Sequence, residues 1–105
     1  IDNGTCGKED GQIEMGPRWI KQQTGAHCKA NNMNERGIGI CLVGNFSEGQ
    51  PTRRQMDSLT YLVNKLRKYY HISKRRIMGH GQVKGAATEC PGTKFPWNDF
   101  WRRVR

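Results

Sequence analysis

The chain has 105 residues, of which 34% are apolar, and carries 18 lysines and arginines against 9 acidic residues, for a net charge of +9. That length allows one domain with a modest core; no apolar run approaches the roughly 18 residues needed to span a bilayer, and the clustering of the apolar residues argues against disorder. The basic balance points to an acidic partner or substrate, and nucleic acid, an anionic membrane surface and an anionic cell-wall polymer all satisfy charge alone.

Residues 1–16 are polar and rich in glycine. Asp10-Gly11 reads as a turn feeding a short alternating strand, Gln12-Ile13-Glu14-Met15, which Gly16-Pro17 breaks. Residues 21–36 (KQQTGAHCKANNMNER) read as loop, with Gly25 as punctuation. A loop of that length is a binding surface or a disordered segment. Residues 37–44 (GIGICLVG) are the most apolar stretch and read as a strand covered on both faces. The glycines in it mark where another backbone comes close, and Cys41 reads as a small buried residue.

Thr52 and Gln55 have the spacing of a capping box and open the clearest helix. Met56, Leu59, Val63, Leu66 and Tyr70 recur at three- and four-residue steps, broadened by Leu62 and Tyr69. Asn64, Lys65, Arg67 and Lys68 fall on the opposite, solvated face. His71 reads as a helix C-terminal residue favoured by the dipole, with no catalytic role. Ile77-Met78 follows as a short strand entering Gly79-His80. Residues 81–95 are irregular, and a last helix is expected around Asn98 to Val104, with Trp97, Phe100 and Trp101 as packing anchors. This order predicts an α/β fold, a mixed β-sheet flanked by helices, over one domain.

The cysteines lie at positions 6, 28, 41 and 90. No CxxC pair occurs, so a zinc finger is excluded, and Cys6 and Cys28 are left as either free or paired. His80 and Cys90 carry the chemistry. A His leaving a strand and a Cys returned just before Pro91-Gly92 can place an imidazole and a thiolate on one metal, the donor types zinc takes. Spacing alone makes this a weak signal.

Context raises it. GAHCKANNMNERGIGICLVGNF, PTRRQMDSLTYLV and IMGHGQVKGAATECPGTKFPW follow one another in that order. In these blocks the chain resembles the type 2 N-acetylmuramoyl-L-alanine amidases, the zinc-dependent family that includes phage endolysin amidases and the peptidoglycan recognition proteins. The resemblance covers essentially the whole chain. It implies hydrolysis of the amide between N-acetylmuramic acid and the first L-alanine of the peptidoglycan stem, with one Zn2+ held by two histidines and a cysteine or aspartate. Carried onto this sequence, it makes His80 and Cys90 metal ligands, Thr88 the catalytic support of the oxyanion, and His27 and Asn34 substrate-binding residues.

The same resemblance defines what is expected to be missing. The family's first zinc histidine and its catalytic tyrosine lie before the point matching Ile1, so the chain reads as the C-terminal two-thirds of the domain, lacking its N-terminal strand and helix. An N-terminal segment or separate chain is the partner expected to complete it. A glutamate that some relatives carry on the strand matching residues 37–44 is replaced here by Cys41 and Val43. The expected partner is peptidoglycan or a muropeptide, without nucleic acid and without a membrane span. Action on the cell wall places the protein in the periplasm, outside the cell, or delivered by phage. Two other functions compete: a muropeptide-binding module without catalysis, and a basic nucleic-acid-binding domain, for which no reader motif is present.

Overall fold

The computed structural model describes residues 1–5 and 7–105. Four α-helices are present among them: α1 (Pro17–Ile20), α2 (Met33–Arg36), α3 (Arg53–Tyr70) and α4 (Trp97–Arg103). Short 3-10 turns occupy Ala30–Asn32, Lys74–Arg76 and His80–Gln82.

Helix α3 forms as its sequence dictates. Thr52 caps it, its hydroxyl accepting from the Gln55 backbone N–H while the Gln55 side chain accepts from the Thr52 N–H. His71 closes it in a left-handed conformation at φ +55°. Met56, Leu59 and Val63 are buried, and with Phe46, Phe95, Phe100 and Val104 they make the core. Tyr69 and Tyr70, placed on the stripe by periodicity, are exposed at the helix end, where Trp19 of α1 meets the Tyr70 ring edge-on. Helix α4 packs on α3, and Trp97 and Trp101 lie half-buried against the core beside Phe100, as packing anchors.

The expected mixed β-sheet is corrected by the structure: among the described residues there is no sheet, only an isolated antiparallel bridge between Asn3 and Asp10. The reason is a shortage of partners. Residues 38–43 run without helix or turn up to Val43, and among the described residues their ladder contacts are to Ile1. Its amino group donates to the Cys41 carbonyl at 2.6 Å, and its carbonyl accepts from the Val43 N–H at 3.0 Å. That is the pattern of a parallel pair at Leu42, one residue long, and one pair is no ladder. Gln12 likewise offers only its carbonyl to Asp2, so residues 12–15 form no strand. Ile77-Met78 forms none either.

The segment nevertheless keeps the alternation of a strand. Ile40 and Leu42 pack on the core, whereas Cys41 and Val43 are exposed. Coverage on both faces and burial of Cys41 are therefore corrected as well: an extended chain with one neighbour buries one face only. Among the described residues, Cys28 is the buried cysteine, 5% exposed. Its pairing with Cys6 lies outside the described residues.

Gln55 fixes this segment to α3. It is fully buried, and its amide nitrogen donates to the Val43 carbonyl at 2.8 Å and the Ile1 carbonyl at 3.2 Å. One side chain thus caps a helix and anchors the two extended segments that meet there.

Candidate metal and substrate site

The site is assembled from three loops around the exposed face of residues 37–43. His80 opens its 3-10 turn just after buried Gly79, whose N–H donates to the Gln82 side chain at 2.7 Å. The next residue, Gly81, donates its N–H to the Cys90 carbonyl at 2.7 Å. This bond staples the loops of His80 and Cys90 together. It requires glycine, because a Cβ at position 81 would lie 2.5 Å from the Thr88 carbonyl oxygen and 3.0 Å from that of Cys90. Gly79 is similarly confined, its Cβ position facing Pro91 and the Trp97 ring.

Cys90 is exposed and precedes a cis peptide to Pro91. Partial burial pushes its thiol pKa up, and the neighbouring Cys41 adds to the shift. Cys41, on the outward face of residues 37–43, is thus near enough to Cys90 to act on its charge. Thr88 turns back on the same loop, its hydroxyl accepting from the Cys90 N–H at 3.2 Å. With that acceptor role filled, the hydroxyl proton is still available for donation. Thr88 and Cys90 line a shallow depression of about 330 Å³ with Gly44–Ser47.

His27 belongs to the second loop. Its ring lies against Gly25 and Gly39, where a Cβ would meet ring atoms at 2.6–2.9 Å, and its Nε2 is 3.3 Å from the Gly37 carbonyl. Gly39 thus makes room for an imidazole, whereas the Cβ position of Gly37 first meets the Met33 backbone carbonyl. Asn34 holds this loop in place. Its side-chain oxygen accepts from the N–H groups of both His27 and Cys28 at 2.6 Å, and its carbonyl accepts from Gly25. The residues assigned from sequence thus form two arms flanking one face. His80, Thr88 and Cys90 stand on one arm, and His27, positioned by Asn34, on the other. Sequence reasoning missed Gly81 and Gln55 as the residues that set this geometry. The glycine directly after His80 was the only available signal for the first.

An imidazole and a thiol on stapled loops match the donor types that zinc prefers. They are one short of the three protein ligands of a catalytic zinc, and among the described residues no group of three His, Cys, Asp or Glu forms a metal-holding cluster. No helix is long and apolar enough to cross a membrane among the described residues.

Comparison with known proteins adds a lineage to this geometry. The family model described as N-acetylmuramoyl-L-alanine amidase matches residues 7–93. A peptidoglycan recognition protein of Trichoplusia ni is 31% identical over 89% of this chain and 48% of its own length. Peptidoglycan-recognition protein SC2 of Drosophila melanogaster is 34% identical over 87% of this chain and 46% of its own. The chain spans about half the length of these relatives. Among solved structures, the N-acetylmuramoyl-L-alanine amidase LysC from Clostridium intestinale URNW superposes with a TM-score of 0.73 at 35% identity, covering 91% of this chain and 60% of that one.

Proposed function

The chain belongs to the N-acetylmuramoyl-L-alanine amidase family, and from that premise we propose that it acts in an enzyme that hydrolyses the amide between N-acetylmuramic acid and L-alanine in peptidoglycan. The observation that carries this reading is the Gly81 to Cys90 hydrogen bond, which locks the His80 and Cys90 loops side by side with Thr88 on the same turn.

His80 and Cys90 would hold Zn2+. When bound, the metal lowers the pKa of a water to about 7 and polarises the scissile carbonyl. The Thr88 hydroxyl, its lone pair engaged by the Cys90 N–H, points its proton to the carbonyl oxygen as charge builds there. Such a donor is worth roughly 3 kcal/mol in the transition state. His27 faces the substrate from the opposite arm, its loop fixed by Asn34. The wall-directed activity places the protein where it meets peptidoglycan: periplasmic, extracellular or phage-delivered.

Digestion of purified sacculi by the parent protein tests the proposal. New L-alanine amino termini, without new reducing sugar ends, are expected, together with about one zinc per domain. A metal-free preparation with intact Cys90, or reducing ends alone, would overturn it. The second reading is a muropeptide-binding module without catalysis, favoured by the names of the insect relatives. Retention of Cys90 argues for the enzyme. Muropeptide binding with no amino termini released would decide for the module.

A further inference from the structure

A strongly basic groove lies away from Thr88 and Cys90. It is open, about 1050 Å³ in volume, and runs between the C-terminal half of α3 and the end of α4. It shares no lining residue with the depression at Thr88 and Cys90. Lys65, Arg67, Lys68, Arg102, Arg103 and Arg105 line it, a third of all the lysines and arginines of the chain.

Only part of this charge is compensated. Arg103 pairs with Asp57 and Asp99, and Arg102 pairs with Asp99. Two carboxylates thus face six cations. The last carbonyls of two helices converge here, which accounts for some basic residues, but not for an excess of this size. The groove is also held in shape: the Asn64 side chain donates to the Arg103 carbonyl at 3.2 Å and accepts from the Arg105 N–H at 2.8 Å, pinning the end of α4 to α3.

We propose that this groove binds a linear, flexible polyanion with phosphodiester repeats, a poly(polyol phosphate) attached to the cell wall, and so holds the protein against its substrate. Three features select that chemistry. The groove is open, and Lys65, Lys68, Arg102 and Arg105 are exposed in it while Arg67 and Arg103 are half-buried, which suits an extended chain rather than an enclosed small ligand. Arginine forks match phosphate oxygens pairwise, and the lysines add point charges. Two rings lie in the lining, Tyr61 and the His71 imidazole, and Lys65 sits over the Tyr61 ring at 5.6 Å from its centroid, so that face is not free to stack a nucleobase. Ile72 is the single aliphatic side chain in the lining, too little to anchor in lipid. The choice of a wall polymer rests on the function proposed above; the binding itself does not.

Titration of the purified protein with poly(glycerol phosphate) tests the groove, alongside a random DNA duplex and anionic phospholipid vesicles. Saturable binding is expected, with an affinity that falls roughly a hundredfold per tenfold rise in salt, as for about three phosphates neutralised on a flexible chain. Combined Lys65→Gln, Lys68→Gln and Arg105→Gln substitutions should weaken it at least tenfold while circular dichroism stays unchanged. His80→Ala and Cys90→Ser should leave it intact, which separates failure of the groove from failure of the metal site. Absence of binding at 50 mM salt, equal binding by the triple variant, or tighter binding to the duplex or the vesicles would each overturn the proposal. Should the triple variant misfold, single substitutions decide the matter instead: each is expected to reduce the salt slope by about one unit, and unchanged slopes would overturn the proposal.

Discussion

The Gly81 N–H donates to the Cys90 carbonyl at 2.7 Å, in a space that no side chain at position 81 could share. Two loops are held in register by this bond, and each carries one proposed metal ligand. Backbone packing, rather than either ligand, therefore sets the geometry.

Gly81→Ala should then damage the metal site more than the fold. The added methyl would crowd two carbonyl oxygens, costing about 1–3 kcal/mol in stability. Supports of this kind matter to the metal itself, and zinc affinity is expected to drop about 10–100-fold. A chelator-competition titration beside urea unfolding measures both, and unaltered zinc affinity would show the staple to be unimportant.

Gln55 is the corresponding anchor in the core. Gln55→Ala removes its cap contact and leaves the Val43 carbonyl without its donor, while the Ile1 carbonyl keeps the Val43 N–H, for an expected loss of about 2–4 kcal/mol. Gln55→Glu keeps the cap acceptor but sets a carboxyl group against those two carbonyls. It should be nearly as damaging. If urea unfolding found the Gln55→Glu variant as stable as the parent, capping would be the residue's whole contribution.

The elevated thiol pKa of Cys90 predicts the pH dependence of zinc binding. Burial, and Cys41 after it, favour the neutral thiol, whereas a zinc ligand must be the thiolate. Below the thiol pKa, affinity should rise about tenfold per pH unit for the one proton released. Cys41→Ala should lower the thiol pKa in the metal-free protein, readable as faster alkylation of Cys90 at pH 8. Equal alkylation rates with and without Cys41 would dissociate the two cysteines.

Asp2 and Glu14 predict a second pH effect, on stability. A hydrogen bond with Glu14, then burial, then the Glu14 charge hold the Asp2 pKa above its usual value, and Asp2 Oδ2 is buried without a partner. Its contribution is present when it is protonated, below its unfolded pKa, and is lost as pH rises through the folded one. Glu14 behaves oppositely: the hydrogen bond from Lys8, then that with Asp2, lowers its pKa, so its contribution is present above the unfolded value and lost as pH falls through the folded one. Asp2→Asn imitates the protonated form. It should be more stable than the parent at pH 7, with the difference closing as pH falls into the acid range. Thermal melts across that range would refute the pairing if the difference were constant.

Several features are legible in the sequence because their causes are local. The Thr52–Gln55 cap and the apolar stripe predict α3, and Phe95-Pro96-Trp97 leads into α4 as expected. The ordered blocks around His27, His80 and Cys90 identify the family without any structure. Residues 37–44 have the composition of an extended segment, which they are, but not the neighbours of a sheet strand. Apolar content and alternation describe what a segment can do, whereas a strand exists only where a neighbour supplies a ladder, and among the described residues that neighbour is Ile1. Cys41 is exposed for the same reason, since burial on the second face needs a covering layer.

The sequence by itself determined α3, α4, the family and the residue types able to bind a metal, all of them encoded in short spans and their order, whereas α1 was not foreseen and α2 lies in a stretch read as loop. The tertiary structure decided which of these meet: His27 over Gly39, Cys41 near Cys90, Gly81 on Cys90, and six cations along one groove. Contacts between residues distant in the chain depend on how its loops close over a common core, and local spacing carries no record of that closure.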